Sequence, residues 1–273
     1  MKPDHPSITV ITVVFNGKRF IEQTLAGVAA QDYPHKEHWL IDGGSSDGTL
    51  AIIQSHASHI TRWISEPDTG IADAFNKGLV RAKGDYIMFL NADDALAGPT
   101  VLRQLLEHAQ ANAWPDVIYG DCELHDPDTD AFLYRAVINY DRDRFLKRET
   151  LPHPGMLMHR RYLERFGQFD TSYQVAMDYE LFLRGIPMVG AVRAPFVISK
   201  VRAGGISARA RTRVIDETIR ALKKHGYLTP IEEIKVRAGY AARGAARRAL
   251  ETMGLYHCFD SMRRHRLTRN LHG

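Results

Sequence analysis

Residues 85–94 read DYIMFLNADD, and the fold can be worked out from this stretch. Every residue from 86 to 90 is apolar, which predicts a short strand buried on both faces of a sheet. The next four residues, Asn-Ala-Asp-Asp at 91–94, place an amide and two carboxylates at the carboxyl end of that strand. Open α/β sheets bind ligands at this position.

Two carboxylates in such a cleft repel each other unless a proton or a cation neutralises them. A divalent metal is therefore the expected partner of residues 91–94. The alternative interpretation is an Asp-rich turn that caps a helix beginning near Pro99.

Three strand and helix pairs precede this stretch. The predicted strands are Ser7–Phe15, Trp39–Ile41 and Arg62–Ser65, and the predicted helices are 18–31, 49–56 and 71–82. Regular alternation of strands and helices predicts a parallel, doubly wound sheet. The glycine-rich loop at 42–49 leads into the second helix, and exposed N–H groups in such a loop favour phosphate or another anion. It matches neither the dinucleotide fingerprint nor the P-loop.

Composition and charge frame this prediction. The chain has 273 residues and 44% hydrophobic residues, which suits one large α/β domain with an appendage. Residues 208–273 carry 15 Lys and Arg against 6 Asp and Glu, whereas residues 1–207 carry 21 against 26. Cys122 and Cys258 lie far apart and have no metal-binding spacing, so we expect no disulfide framework. Apolar runs are too short to span a membrane and the N-terminus lacks a signal-peptide core, which predicts a cytoplasmic protein.

Four ordered motifs occur within the first half: ITVVFN, IDGGSSDGT, EPDTGIADAFNKGL and AKGDYIMFLNADD. Together they resemble the nucleotide-sugar half of the family 2 inverting glycosyltransferases. The second half supports this resemblance and is similar to the branch that builds bacterial surface polysaccharides and glycolipids. Its supporting motifs are VIYGD at 117–121, FLKR at 145–148, HP at 153–154, GQFD at 167–170, MDYE at 177–180 and GGIS at 204–207.

The resemblance implies the GT-A fold, an α/β architecture with a mostly parallel central sheet flanked by helices. We expect a glycosyltransferase domain at 1–207, with the nucleotide-sugar half at about 7–115 and the acceptor and catalytic half at 116–207. A basic helical tail at 208–273 would form a C-terminal appendage.

The resemblance also implies a divalent metal, Mn²⁺ or Mg²⁺, held by the acids of the family's D-x-D motif. The matching residues are Asn91, Asp93 and Asp94. Because an amide is a poorer ligand for these cations than a carboxylate, we assign the metal to Asp93, with Asp94 and His153 as further candidates.

Candidate nucleotide-sugar contacts also follow from the matched motifs. They are Val13, Phe15, Asp42, Asp68, Asn76, Lys77, Asn91 and Ala92. Gly43 replaces the second acid of the family's V-D-D-G-S motif. This substitution weakens any inference about which nucleobase the enzyme recognises. Lys77 has a second interpretation, as a solvated lysine on a helix.

Asp178 corresponds to the acid that takes the acceptor's proton in this family. Apolar residues surround it in sequence, which suits a proton-accepting carboxylate. The structural alternative is an N-cap of the helix that follows, and Glu180 is the fallback base. His153 is a candidate contact to diphosphate, metal or acceptor, whereas Lys200, Arg202 and the turn at 204–207 are candidates to close over the donor.

These residues predict a metal-dependent inverting glycosyltransferase that moves a sugar, with a UDP-sugar favoured, to a hydroxyl of a glycan or lipid-linked acceptor. The basic tail has two interpretations, a solvated helix face or a stripe on anionic lipid at the inner face of the membrane. Its aromatics are compatible with a homodimer, and we expect no nucleic acid partner. The rival functions are a nucleotidyltransferase that makes sugar nucleotides and a non-catalytic nucleotide- or carbohydrate-binding module. A glycosidase fits less well, since it needs two carboxylates flanking one bond.

Overall fold

The computed structural model describes residues 5–137, 139–146 and 151–252. The strands are β1 Ile8–Val14, β2 Lys36–Asp42, β3 Arg62–Ser65, β4 Tyr86–Asn91, β5 Ala95–Leu96, β6 Val117–His125, β7 Phe132–Ala136, β8 Met156–His159 and β9 Val192–Arg202. The helices are α1 Ile21–Ala29, α2 Thr49–Ser55, α3 Ile71–Leu79, α4 Val101–Ala111, α5 Arg142–Leu146, α6 Arg160–Phe166, α7 Met177–Val189, α8 Ile206–Arg209, α9 Arg211–Lys224 and α10 Pro230–Thr252. Among these residues no helix is both long and apolar enough to cross a membrane.

All nine described strands belong to one sheet with the order β3-β2-β1-β4-β8-β6-β9-β5, and β7 pairs with β6. Strands β3, β2, β1 and β4 are mutually parallel, as the alternating pattern predicts. Strand β8 runs antiparallel to both β4 and β6, so the sheet is mixed in its second half. The chain order reverses between β1 and β4, and this switch point opens a cleft at the carboxyl edge.

Apolar clusters cover both faces of the sheet. Helices α3, α6, α7 and α9 contribute to one cluster, which includes the aromatic rings of Phe75, Phe89 and Phe169. Helix α4 packs on the opposite face against β4, β6 and β9. Strand β4 is buried from Tyr86 to Leu90, which confirms that it lies inside the sheet.

Helix boundaries differ from the predicted ones by a few residues. The first helix begins at Ile21, because Gly17 to Phe20 form a hydrogen-bonded turn. The helix expected near Pro99 begins at Val101, and strand β5 separates it from residues 91–94. The interpretation of Asp93 and Asp94 as caps of that helix is therefore wrong.

Helix α9 packs against α7, although it lies in the segment that the sequence assigns to a tail. Its residues Ala221 and Leu222 are buried in the main core cluster, and Ile219 is also buried. The boundary at residue 207 stays a prediction. The tail's aromatic and basic residues from 253 onward lie outside the described residues.

Candidate active site

A tight turn follows β4 and brings Asn91 and Asp94 together. Asp94 is fully buried, and its Oδ2 accepts hydrogen bonds from the backbone N–H of Asn91 at 3.0 Å and from Asn91 Nδ2 at 3.1 Å. The N–H of Asp94 in turn donates to the carbonyl of Asn91 at 3.1 Å. Asp93 lies between them and is partly exposed to the cleft. Asp94 is thus held inside the protein by hydrogen bonds, whereas Asp93 is partly accessible to solvent.

Burial and mutual repulsion shift the protonation of these acids. Burial, followed by the charge of Asp93, raises the pKa of Asp94 to about 7. Burial also raises the pKa of Asp93, against the charge of His153 in its protonated form and the charges of Arg202 and Arg209. When both carboxylates are ionised they repel each other, and a cation at this turn would relieve that repulsion.

His153 connects this turn to Asp178. Its Nε2 lies 3.1 Å from Asn91 Nδ2, and its Nδ1 lies 3.2 Å from Asp178 Oδ2. With Asn91 Nδ2 as the donor, Nε2 of the neutral ring accepts and Nδ1–H donates to Asp178. A continuous line of hydrogen bonds thus runs from Asp94 through Asn91 and His153 to Asp178.

The local packing fixes His153 in this position. Residues 153–155 form a short 3-10 turn before β8, and the ring of Phe75 meets the imidazole edge to face at 6.2 Å. Burial acts to lower the pKa of His153, but the hydrogen bond and charge of Asp178, with the charges of Asp94 and Asp93, outweigh it and raise the pKa.

Asp178 lies in the first turn of α7 with its side chain 19% exposed. The N-cap is Ala176, so the alternative interpretation of Asp178 as the helix cap is wrong. Its Oδ1 accepts from the N–H of Tyr179 at 2.7 Å, and its Oδ2 faces His153. Both oxygens are oriented, and the side chain remains accessible from the cleft.

Glu180 does not share this position. Its side chain is fully buried and is bonded to Arg184, to Lys224 at 2.8 Å and to His225 at 2.9 Å. The fallback assignment of Glu180 as the base is therefore wrong, because three cationic or ring N–H partners hold the carboxylate inside the protein.

The glycine-rich loop differs from its predicted role. The N–H groups of Gly44 and Ser45 donate to Asp42 Oδ2 at 3.2 and 3.1 Å, and those of Ser46 and Thr49 donate to side chains of the same region. These four donors are used within the protein, which favours a structural role for the loop, and the expected anion site stays a prediction. Asp42 is fully buried and also accepts from Ser65 at 2.6 Å, so its hydrogen bonds point to shaping the loop, and its nucleotide contact stays a prediction.

Asp68 and Phe15 lie close together beside Gly43. Asp68 Oδ2 occupies the space that a Cβ on Gly43 would fill, and Cδ2 of Phe15 lies 3.4 Å from the same point. Asp68 is half-buried, with its Oδ1 bound to the N–H of Gly70 at 2.9 Å. The Phe15 ring is 65% exposed at the carboxyl end of β1. An exposed apolar ring and a carboxylate are thus neighbours near the sheet edge.

The remaining predicted nucleotide contacts are engaged within the protein. Asn76 exchanges two hydrogen bonds with the backbone of Phe169, at 2.9 and 3.0 Å. Lys77 donates to the carbonyl of Pro67 at 2.7 Å and pairs with Glu66 at 3.2 Å. These contacts favour structural roles for both side chains.

Val13 and Ala92 line the inner part of the cleft. Val13 is buried in β1, where it pairs with Asn91 of β4. The carbonyl of Ala92 accepts from Thr24 of α1 at 2.8 Å. Only backbone or van der Waals contacts from these two residues are available to a ligand.

The donor set at the turn fits a divalent cation held partly by its substrate. Among the described residues, no three or more His, Cys, Asp and Glu side chains cluster as a closed metal cage. Asp93 and Asp94 supply carboxylates whose repulsion a cation would relieve. Mg²⁺ and similar ions often use one or two carboxylates and complete their shell with phosphate oxygens and water.

Arg209 was not identified from the sequence as part of the site. It lies at the end of α8, and its charge acts on Asp93 together with that of Arg202. The sequence offers no sign of this effect, because the basic pattern from residue 208 onward does not tell which of its arginines acts on Asp93.

Comparison with known proteins places these features in a family. An uncharacterized glycosyltransferase of Mycobacterium tuberculosis is 27% identical over 219 residues, which cover 80% of this chain and 83% of that protein. A PGL/p-HBAD biosynthesis glycosyltransferase of Mycobacterium bovis is 28% identical over 182 residues, covering 66% of this chain and 69% of that protein.

Two solved structures share the fold. Staphylococcus aureus TarS, residues 1–349 in complex with UDP, superposes with a TM-score of 0.63 at 16% identity and covers 84% of this chain and 68% of its own. The mannosyltransferase PcManGT of Pyrobaculum calidifontis, in complex with GDP-Man and Mn²⁺, gives 0.64 at 20% identity and covers 92% and 80%. The model of the family described as "Glycosyl transferase family 2" matches residues 9–167. With this match over more than half of its length, the chain belongs to glycosyl transferase family 2 and is an enzyme of glycosyl transfer.

Proposed function

We propose that this enzyme transfers a sugar, with inversion, from a UDP-sugar to a hydroxyl group of a glycan or lipid-linked acceptor, with a divalent metal at Asp93 and Asp178 as the base. The observation that carries the proposal is the hydrogen-bonded line of Asn91, His153 and Asp178, with separations of 3.1 and 3.2 Å. It joins a carboxylate turn suited to a metal diphosphate to a carboxylate suited to proton transfer.

Asp93 is the residue best placed to hold Mn²⁺ or Mg²⁺, and Asp94 supports it from the buried side. When bound, the ion would neutralise charge on the leaving diphosphate. Arg202 and Arg209 add positive charge near Asp93. His153 already uses both ring nitrogens, so its hydrogen bonds favour an orienting role over metal ligation.

Asp178 would remove the proton from the acceptor hydroxyl. The oxygen attacks the anomeric carbon as the bond from that carbon to the diphosphate oxygen breaks, and the proton passes to Asp178. The hydrogen bonds from His153 and from the N–H of Tyr179 hold the carboxylate in one orientation. A fixed base avoids the cost of orienting it during the reaction.

The neighbouring side chains of Phe15 and Asp68 are suited to a nucleobase. The exposed ring of Phe15 offers a stacking surface, and Asp68 Oδ2 can accept an N–H from the base. Uracil has such an N–H, and so do guanine and thymine, so these two groups alone do not select among them. TarS, solved with UDP, supports a UDP-sugar as the first donor to test.

The acceptor class is proposed from the named relatives. One is a PGL/p-HBAD biosynthesis glycosyltransferase, and another is a putative teichuronic acid biosynthesis glycosyltransferase of Bacillus subtilis. Both names favour a role in the biosynthesis of a surface glycolipid or polysaccharide. The basic tail at 208–273 is the feature that would bring the enzyme to the inner face of the membrane.

Calorimetric titration with UDP, GDP and dTDP, each with and without Mn²⁺, tests the donor site. We expect UDP to bind wild type only with Mn²⁺, and we expect Asp93→Asn to lose that binding. Asp128→Asn serves as the matched control, because Asp128 is an exposed acid whose side chain contacts Arg19 and not the residues of the turn. Equal binding by Asp93→Asn and wild type would contradict the metal assignment.

A further inference from the structure

The loop before α7 is held by a side chain from the next long helix. The Glu217 carboxylate of α9 accepts hydrogen bonds from the consecutive backbone N–H groups of Gln174, Val175 and Ala176, at 2.9 to 3.1 Å. Glu217 is only 8% exposed. Ala176 is the N-cap of α7, so these donors lead directly into the turn that carries Asp178.

Glu217 belongs to a stripe on one face of α9. Residues at spacings of four and three share a helix face. Along this stripe Arg213 bonds the side chain of Gln174, Arg220 donates to the carbonyl of Ser172 at 2.8 Å, and Lys224 pairs with Asp170 at 2.8 Å. The whole segment from 170 to 176 is therefore attached to α9.

A side chain of α7 also contacts α9. Glu180 of α7 is buried and reaches back to Lys224 and His225 at the end of α9. The first turn of α7 is thus fixed on both sides of Asp178, by Glu217 before it and by Glu180 after it.

The geometry points to Glu217 as a positioning residue for Asp178. This inference rests on the proposed function, in which Asp178 is the base. Asp178 Oδ2 meets His153 at 3.2 Å, near the limit of a hydrogen bond, so a shift of about 1 Å at the start of α7 would break it. Displacements of that size lower the rate of chemistry by about 100-fold in well-oriented sites.

Glu217→Gln tests the inference, since an amide replaces one accepting oxygen with an N–H donor that faces backbone donors. Binding is measured with UDP and Mn²⁺. Turnover is measured as the release of UDP from whichever of UDP-glucose, UDP-galactose and UDP-N-acetylglucosamine the wild type turns over fastest. We expect one UDP per chain with a Kd within about twofold of wild type, and a kcat lower by roughly 10- to 100-fold at an unchanged donor KM.

Asp216→Asn is the matched control. It removes an acid from the adjacent position of α9, where the side chain is exposed and pairs with Arg237. We expect wild-type kcat and Kd. Arg220→Met provides a second variant from an exposed position of the stripe, and we expect a kcat lower by about three- to tenfold with UDP binding retained.

Asp178→Asn, measured in parallel, separates the two ways in which this inference could fail. If Asp178→Asn is inactive while Glu217→Gln and Arg220→Met keep wild-type kcat, the positioning role is overturned and the proposed function stands. The positioning role is also overturned if turnover falls only in proportion to the fraction of chains that bind UDP. In that case the variant loses activity because part of it fails to fold. If Asp178→Asn keeps wild-type turnover, the proposed base is wrong and the role of Glu217 falls with it.

Discussion

At the scale of single residues, Asn91 explains how a departure from the D-x-D motif fits this site. Its amide donates to Asp94 Oδ2 at 3.1 Å and lies 3.1 Å from His153 Nε2. A carboxylate at this position has no N–H to offer either partner and would add a third negative charge beside Asp93 and Asp94. The amide therefore links Asp94 to His153.

Asp94→Asn should change the pH dependence of stability. The folded pKa of Asp94 is about 7, whereas an unfolded Asp titrates near pH ~3.9. Between these values the folded chain keeps a proton that the unfolded chain has released, so the free energy of unfolding declines as pH rises through this window. The variant lacks this decline and should gain stability over wild type, by about 1.4 kcal/mol per pKa unit at most, between pH ~4 and ~7.

Urea unfolding without metal at pH 5 and pH 8 measures this difference. The gain of Asp94→Asn over wild type should be larger at pH 8. Asp128→Asn, at an exposed loop position, should show no such trend. A gain that is the same at both pH values would contradict a raised pKa for Asp94.

Gly43→Ala should weaken nucleotide binding. The new Cβ would enter the space of the Asp68 carboxylate, which must then move away from Phe15. We expect the Kd for UDP with Mn²⁺ to rise by about tenfold, the equivalent of one lost polar contact of about 1.4 kcal/mol. Gly98→Ala is a suitable control, because nothing lies within 4 Å of the added carbon. An unchanged Kd for Gly43→Ala would place the nucleotide elsewhere.

At the scale of elements, the buried carboxylate of Glu180 contributes to the contact between α7 and α9. Burial acts to raise the pKa of Glu180, but hydrogen bonds from Arg184, Lys224 and His225 outweigh it and hold the pKa below its usual value. Glu180→Gln would remove the counter-charge from Arg184 inside the protein, while Lys224 would keep Asp170. Removing one partner of a buried ion pair typically costs about 3–5 kcal/mol.

Denaturant unfolding at pH 7 should therefore give a markedly lower free energy of unfolding for Glu180→Gln. Glu164→Gln, at an exposed position of α6, should remain within about 0.5 kcal/mol of wild type. Equal stability of the two variants would show that the Glu180 cluster does not hold α7 to α9.

The parallel strands and the helices between them can be predicted from local sequence patterns. The prediction of a strand at Arg62–Ser65, for example, matches the bounds of β3. Apolar runs and helical spacing are properties of short windows, so they identify β1 to β4 and α1 to α3. The link from Asn91 to His153 spans 62 residues, and the one from Glu217 to Val175 spans 42. Such contacts depend on the packing of the second half, where β8 inserts antiparallel between β4 and β6, and no local pattern reveals it.

At the scale of the whole molecule, the site joins the two halves of the chain. The segments that follow β1, β3 and β4 in the first half supply Phe15, Asp68 and the carboxylate turn, whereas the 3-10 turn and α7 of the second half supply His153 and Asp178. The aromatic cluster of Phe75, Phe89 and Phe169 packs beneath this junction with ring centroids 5.0 to 5.4 Å apart. This shared core holds the proposed donor-binding residues and the proposed base, Asp178, in fixed positions relative to each other.

The turnover of Asp178→Asn, compared with its binding of UDP and Mn²⁺, tests the central claim most directly. The asparagine keeps the size of the side chain but cannot take the acceptor's proton. We expect an unchanged Kd for UDP and a rate of UDP-sugar turnover lower by about 10²- to 10⁴-fold, the usual contribution of a general base. Wild-type turnover by this variant would contradict the claim that Asp178 is the base.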